Sequence, residues 1–197
     1  MNKLDFLKWY RKRLSRRYKE LAALYKLEKR NPTVYIEDDV QIIMPHRLTL
    51  GKNIVICRGT IIECGGLEWC DYKGEVRIGD NVYIATNAIL FGAGEIEIQR
   101  RCAIGVGAMI TSYTPDLEGI KKDEKLLDQK VLPHKFAKVT IEEGAMIGPN
   151  SIILTGVTVG RGAVITGGCI VRHNVPPDSF VFPNIKLNQK RYLVKKE

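Results

Sequence analysis

Residues 139–160 read VTIEEGAMIGPNSIILTGVTVG, and aliphatic side chains recur at every sixth position of this stretch. The unbroken series comprises Ile141, Ile147, Ile153, Val159, Ile165 and Val171. Four positions after each comes a small or apolar residue, which gives a second column: Ala145, Ser151, Val157, Ala163, Cys169 and Val175. A period of six fits neither a helix nor a single strand, and it is typical of a parallel β-helix. In that fold three short strands and three turns close one triangular coil, with the aliphatic residues stacked inward.

The same register occurs upstream in three shorter sets. These sets are Leu50, Ile56 and Ile62; Ile78, Ile84 and Leu90; and Ile98, Ile104 and Ile110. Residues 63–77 and 94–97 separate the sets, and we interpret both as loops that leave the corners of one continuous prism. Because each coil buries its faces only against its neighbours, several coils are needed, and the sequence predicts about five.

Length and composition indicate one domain of 197 residues. No apolar run has the length of a membrane span, and no signal-peptide core follows the basic N-terminus, so we expect a soluble cytoplasmic protein. Cys102 and Cys169 fall in the small-residue column, where cysteine acts as a compact apolar side chain. Cys64 and Cys70 could form a disulfide or bind metal, but they lack a Cys-x-x-Cys spacing or a nearby histidine, which favours plain packing.

Most of the net charge of +9 lies at the N-terminus. Residues 1–30 contain eleven lysines or arginines and three acidic residues, with apolar side chains at helical spacing. This predicts a basic amphipathic helix over residues 1–32, ended by Asn31-Pro32. Such a helix could pack on the prism or on a neighbouring subunit, or bind an anionic membrane surface. Nucleic acid is the third and least favoured partner, because no nucleic-acid-binding motif occurs in the chain.

Residues 139–187 resemble the hexapeptide-repeat acyltransferases. The resemblance rests on the segment quoted above, on GAVI at 162–165, on VRHNVPP at 171–177 and on PNIK at 183–186. With the upstream repeats it covers about residues 33–187. It implies a left-handed β-helix, a homotrimer, and acetyl-CoA or acyl carrier protein as the acyl donor. The sequence is most similar to the branch of sugar O-acetyltransferases, which includes maltose, galactoside, capsule and O-antigen enzymes.

In that branch a long loop between two coils carries the catalytic histidine, and residues 111–138 match this loop. Acyl transfer to a hydroxyl needs a base for the acceptor's proton, and a neutral imidazole suits that step. Here Thr114 occupies the usual position of the histidine and cannot act as a base. We therefore take His134, in the returning arm of the loop, as the candidate catalytic residue. Its alternative is a surface histidine without a role.

Three loop residues are candidate acceptor ligands: Tyr113, Thr114 and Asp116. Tyr113 could bind the face of a sugar or serve only for packing. Asp116 could bind an acceptor hydroxyl or orient another group.

The resemblance also implies a CoA groove between two subunits along the last coils. The matching positions are Pro149, Gly167, Gly168, Arg172, His173 and Lys186. Small residues leave room for the pantetheine arm, and cationic residues face the phosphates. The alternative for each glycine is a purely structural role at a β-helix corner. The sequence PNIK is a rearranged form of the family's usual ending, which weakens the assignment of Lys186.

The leading prediction is an acetyl-CoA-dependent O-acetyltransferase acting on a sugar of a surface polysaccharide. The fold class is mainly β, with a helix at 1–32, a β-helix at 33–182 with its extruded loop, and a tail at 183–197. The alternatives are a non-catalytic scaffold, an N-acetyltransferase for an amino sugar, and a γ-class carbonic anhydrase. The last binds zinc through three histidines, and His46, His134 and His173 lack its His-x4-His spacing. We expect no metal.

Overall fold

The computed structural model describes residues 22, 25–27, 29–66, 68–71, 73–123 and 132–183. Most of the predicted basic helix and the tail with Lys186 lie outside these residues. Of the predicted helix, the described residues 22, 25–27, 29 and 30 are helical.

Three parallel sheets form the faces of a triangular prism. Sheet A contains β1 (Val34–Ile36), β4 (Ile54–Ile56), β7 (Tyr83–Ile84), β10 (Ala103–Ile104), β15 (Met146–Ile147), β18 (Val164–Ile165) and β20 (Phe180–Val181). Sheet B contains β2 (Gln41–Ile43), β5 (Ile61–Glu63), β8 (Ile89–Phe91), β11 (Met109–Thr111), β16 (Ile152–Ile153) and β19 (Ile170–Val171). Sheet C contains β3 (Leu48–Leu50), β6 (Val76–Ile78), β9 (Ile96–Ile98), β14 (Val139–Ile141) and β17 (Thr158–Val159), and Val175 adds a bridge to Val159.

The interior of the prism is the stack of aliphatic residues that the sequence predicts. Both columns between residues 141 and 175 are buried at every position. The upstream sets are buried as well, except Leu50, which is only partly covered. Each fully buried Ile or Leu stabilises the fold by about 1.5–3 kcal/mol relative to an exposed one. Since every coil rests on the next, this burial is continuous along the axis.

The chain completes six coils, rather than about five, and β20 begins a further turn. The undercount arises from the first coil, where Val34, Ile42 and Leu48 face inward without a clear hexapeptide phrase. The predicted loop bounds also need correction. The strands take in residues assigned to these loops: Glu63 in β5, Val76 and Arg77 in β6, Ile96 and Glu97 in β9, and Thr111 in β11.

The three corners differ in regularity. The turns between sheets A and B are all of one length, at residues 37–40, 57–60, 85–88, 105–108, 148–151 and 166–169. At the corner between sheets B and C, by contrast, residues 64–75 and 112–138 leave the prism. We call these the short and the long excursion. Both leave from the carboxyl ends of sheet B strands, so they emerge on the same edge.

Each excursion has some structure of its own. The short one contains a 3-10 helix, Glu68–Cys70, and a similar turn, Pro45–Arg47, occupies the same edge in the first coil. The long one forms an antiparallel hairpin of β12 (Tyr113–Pro115) and β13 (His134–Phe136), and α1 (Leu117–Lys122) follows β12. Fully buried Ser112 anchors its base, because its Oγ donates to the Phe91 carbonyl and accepts from the Gly94 amide, both at 2.8 Å.

Candidate active site

The two excursions bring five aromatic side chains together on the B–C edge. We call this group the aromatic cluster: Trp69, Phe91, Tyr113, His134 and Phe136. Trp69 lies at its centre, with ring centroids 4.8 Å from Tyr113, 5.3 Å from His134 and 6.1 Å from Phe136. Phe91, at the end of β8, is 5.8 Å from Tyr113. Such distances are those of ordinary aromatic contacts, so the cluster joins the excursions to each other and to the prism.

His134 occupies the wall of this cluster. It pairs with Pro115 across the hairpin, and its ring is 5.5 Å from that of Tyr113. The side chain is half-buried, and Nδ1 is enclosed without a hydrogen-bond partner among the described groups. Of the other histidines, His46 is exposed in the Pro45–Arg47 turn, and His173 is exposed on the last coil. His134 is thus the histidine that the fold brings beside Tyr113.

Thr114 and Asp116 share the hairpin with Tyr113, but they face different surroundings. Thr114 is exposed and pairs with Lys135. Asp116 is the N-cap of α1: it accepts from the Gly119 amide at 3.1 Å, and Lys135 Nζ lies 3.1 Å from it. These interactions, the Gly119 hydrogen bond first, lower the pKa of Asp116. Asp116 therefore caps α1 and pairs with Lys135, independently of any role in binding an acceptor.

Glu63 is a site residue that the sequence analysis missed. It ends β5, and in sheet B it lies directly beside Phe91, which lies beside Thr111 of β11. Its Oε1 is buried without a hydrogen-bond partner among the described residues, and burial raises the pKa of the carboxyl. The Glu63 charge also helps to raise the pKa of Tyr113, after burial. The only signal in the sequence is a carboxylate at the outward position that ends an apolar strand.

All buried side-chain oxygen or nitrogen atoms found without a partner in the described chain lie on the B–C edge. They are Glu63 Oε1, His134 Nδ1 and Thr155 Oγ1, and Thr155 belongs to the B–C turn of the fifth coil. An enclosed polar atom without a hydrogen bond costs free energy, and such atoms concentrate where a protein contacts something else. The regular corners of the described prism hold none.

The predicted CoA residues fall on two different edges. Pro149, Gly167 and Gly168 are exposed at the A–B corner of the last coils, and Arg172 and His173 are exposed at the B–C corner. Gly168 has a φ of +73° and open space outside it, whereas a Cβ on Gly148 would meet backbone atoms at 2.6 Å. The A–B corner thus offers room for a thin chain, and Arg172 offers a cation for phosphate. One subunit alone does not join the two edges.

The described residues give no support for a metal centre. No group of three or more His, Cys, Asp or Glu side chains within these ranges could hold an ion. Cys64 and Cys70 are buried and no disulfide joins them. Burial, with a smaller contribution from the Glu63 charge, raises the pKa of Cys64 to about 12, which disfavours the thiolate that metals require.

The outward faces of the three sheets differ in polarity. Sheet A presents an apolar row in register: Tyr35, Val55, Tyr83, Ala103, Met146, Val164 and Phe180. Sheet B presents a row that is apolar after its first member: Gln41, Ile61, Ile89, Met109, Ile152 and Ile170. Sheet C presents Thr49, Arg77, Glu97, Thr140 and Thr158. Two of the outward faces are thus apolar and one is polar.

The sequence profile of the bacterial transferase hexapeptide family, with six repeats, matches residues 138–173. Within this range the chain carries the hexapeptide repeat of that family. A protein of Staphylococcus aureus strain MRSA252, named as a candidate acetyltransferase, is 30% identical over 58% of this hexapeptide-repeat chain and 54% of its own length. The bifunctional protein GlmU of Zymomonas mobilis is 26% identical over 83% of this chain and 39% of its own. The chain thus spans about half of the first relative and less of the second.

Solved structures agree in fold. AntD, an N-acyltransferase from Bacillus cereus, was crystallised with dTDP and 3-hydroxybutyryl-CoA. It matches with a TM-score of 0.64 and 21% identity, over 80% of this chain and 81% of its own. A hexapeptide-repeat-containing acetyltransferase from Vibrio cholerae matches with a TM-score of 0.50 and 19% identity, over 75% and 64% of the two chains. The predicted left-handed parallel β-helix is confirmed. In addition, none of the described helices has the length and apolar character needed to cross a membrane.

Proposed function

We propose that this hexapeptide-repeat protein is an acetyl-CoA-dependent O-acetyltransferase that acts on a sugar hydroxyl in surface-polysaccharide synthesis. The observation that carries the proposal is the B–C edge. There, two excursions from a regular prism bring an imidazole among aromatic rings, and a carboxylate lies beside Phe91 of the same group. Aromatic faces suit the apolar face of a sugar, and titratable groups with unpartnered atoms suit proton transfer.

In this account His134 is the general base. It accepts the proton of the acceptor hydroxyl as the oxygen attacks the acyl carbonyl, and it returns the proton to the departing thiolate. Tyr113 and Trp69 hold the acceptor beside it. Thr114, exposed on the same hairpin, is the acceptor ligand that replaces the usual histidine. The hairpin can hold this geometry because Ser112 fastens its base to β8.

Acetyl-CoA supplies the acyl group from a groove along the last coils. The open corner at Pro149, Gly167 and Gly168 has room for the pantetheine arm, and the exposed Arg172 and His173 suit the phosphates. Because these residues lie on two edges of one prism, a shared groove needs the A–B corner of one subunit and the B–C corner of another. Lys186, outside the described residues, remains a predicted contact.

A homotrimer meets that requirement. The outward rows of sheets A and B would be covered by neighbouring copies, while the polar sheet C would stay in water. In sheet A large and small side chains alternate along the row, and such a surface can interlock with the flatter row of sheet B. Contacts between different faces build closed rings when the rotation closes. Sedimentation of a monomer would contradict this arrangement.

The second candidate is N-acetylation of an amino sugar, and the likeness to the AntD fold favours it, since AntD is an N-acyltransferase. The third is a non-catalytic scaffold, which the replacement of the usual histidine by Thr114 favours. The basic segment at residues 1–30 could bring either of them, or the enzyme, to a membrane surface.

The test begins with thermal unfolding in the presence of acetyl-CoA. A ligand that binds only the folded state raises the melting temperature, so wild type should be stabilised and Arg172→Glu should not. Acceptor sugars are then screened by release of the CoA thiol. Hydroxylamine removes an O-acetyl group and leaves an N-acetyl group, which separates the first two candidates. If saturating acetyl-CoA causes no stabilisation, the scaffold becomes the better account.

A further inference from the structure

Glu63 ends β5, where the short excursion begins, and its neighbour in sheet B is Phe91 of the aromatic cluster. Its backbone is in register with Phe91 in the neighbouring strand, about 4.8 Å away as in any sheet, so the two side chains leave the sheet on the same side. Phe91 contacts Tyr113, which contacts both Trp69 and His134. The half-buried carboxylate therefore leaves the sheet beside the rings of the cluster, and its Oε1 is enclosed without a hydrogen-bond partner among the described residues.

The charged groups around Glu63 do not neutralise it. Arg47, from the turn of the first coil, donates to the Gly74 carbonyl at 2.7 Å. Burial raises the pKa of Cys64, so this neighbouring thiol keeps its proton and stays neutral near neutral pH. Tyr113 and His134 are the titratable members of the aromatic cluster. Within the described chain, no cation is in hydrogen-bond contact with the enclosed Oε1.

A carboxylate of this kind is suited to a positively charged ligand. An enclosed anion is costly unless it is paired, and a hydroxyl can give it a hydrogen bond but cannot cancel its charge. An ammonium group does both, and the surrounding ring faces attract cations as well. Binding of a cation would also favour the ionised carboxylate, against the effect of burial.

We infer that Glu63 is the specificity-determining residue of the acceptor site, and that it selects a sugar with a protonated amino group over its hydroxyl counterpart. This rests on the acyltransferase activity and the acceptor site of the proposed function, and it replaces the hydroxyl acceptor proposed there by an amine. It favours the N-acetylation candidate. Glu63 binds the ammonium, and His134 takes one proton from it to free the nitrogen lone pair. The nitrogen bonds to the acyl carbon, the carbon–sulfur bond breaks, the thiolate takes the proton held by His134, and the second amine proton passes to solvent.

The experiment uses matched acceptors with the full-length protein. One pair is dTDP-4-amino-4,6-dideoxyglucose and dTDP-6-deoxyglucose, and the others are methyl glucoside against its 2-, 3-, 4- and 6-amino derivatives. Release of the CoA thiol gives kcat and KM, and calorimetry gives the acceptor affinity with CoA present. Glu63→Gln keeps the shape and removes the charge. The matched control is Glu97→Gln, which removes a carboxylate on the polar face, where Glu97 pairs with Lys138.

The inference predicts transfer to at least one amino sugar, with at least about a tenfold preference over its hydroxyl partner. Glu63→Gln should raise the KM or Kd of that amine by about tenfold to a hundredfold, the range for a lost charged hydrogen bond. It should weaken the hydroxyl partner by a smaller factor than the amine and leave acetyl-CoA binding unchanged, and Glu97→Gln should resemble wild type.

Three results would overturn the inference while the transferase stands: a preference for the hydroxyl acceptor, an equal loss for both acceptors in Glu63→Gln, or acetyl-CoA binding without binding or use of any amino sugar. Failure of the acyltransferase activity, on which the inference rests, has a different signature, because acetyl-CoA itself would then not bind.

Discussion

The A–B and B–C corners belong to the same coils, yet one repeats a single turn and the other differs from coil to coil. Every A–B turn ends on a buried residue, in the series Val40, Thr60, Ala88, Ala108, Ser151 and Cys169. The B–C corner instead varies from short turns to the long excursion at residues 112–138. Stacking holds the first corner to one shape, because each turn rests on the next. Lengthening a loop adds only a small entropic cost of closing it. The B–C corner can therefore carry longer segments, and these segments supply side chains for binding.

The largest expected effect comes from the regular part. Ile104 is fully buried in the middle coil, so Ile104→Ala should lower the free energy of unfolding by about 2–5 kcal/mol. Thr140→Ala, on the outward face of sheet C, should change it by less than about 0.5 kcal/mol. Urea unfolding measures both. Equal losses in the two variants would mean that the stacked interior does not carry the stability.

Alkaline pH should lower the free energy of unfolding through Cys102, which lies at the regular C–A turn before β10. Burial raises the pKa of this thiol to about 11, so the folded chain keeps the proton while the unfolded chain loses it near pH 9. Stability is thus fully present below pH 9 and is lost as the pH rises to about 11. The loss is about 2–3 kcal/mol at most. Cys102→Ala should flatten this part of the stability–pH curve relative to wild type, and an unchanged slope would contradict the assignment.

Adding a methyl group at Gly94, beside the base of the long excursion, should displace the B–C corner and leave the other corners in place. In Gly94→Ala the new Cβ would meet the Ser112 carbonyl and would lie 2.8 Å from the Ala137 amide. We expect a loss of about 1–3 kcal/mol and a displaced hairpin. In a Trp9→Phe background, Trp69 fluorescence should change. Gly144→Ala, at a regular C–A turn, is the control: it should cost stability because its φ is +73°, but leave Trp69 unaffected.

The smallest effect concerns the cap of α1. Asp116→Ala should destabilise this helix by about 0.5–2 kcal/mol, because the Gly119 amide loses its acceptor. Asp116→Asn keeps a capping oxygen and removes only the pairing with Lys135, so its effect should be smaller. Hydrogen exchange of the α1 amides distinguishes the two. Equal protection in both variants and wild type would show that the cap is dispensable, leaving Asp116 free for an acceptor role.

The sequence was sufficient for the regular corners and insufficient for the irregular one. The columns through Ile141 and Ala145 could be predicted because their spacing is local and repeats. Glu63 and Trp69 could not, since their role depends on which excursions meet, and no periodicity links residue 63 to residue 134. His134 was found only by its chemistry. The apolar outward faces of sheets A and B could be assigned only from the structure, because the strand register decides which residues share an outward row.

In the proposed enzyme the last coils hold the acyl donor and the B–C edge holds the acceptor. The most direct test measures acetyl-CoA affinity and acetyl transfer in parallel for the Tyr113→Ala/His134→Ala double variant. The account predicts donor affinity within about twofold of wild type, and transfer reduced by about a hundredfold or more, as expected when a general base is removed. Transfer at the wild-type rate in this variant would contradict it.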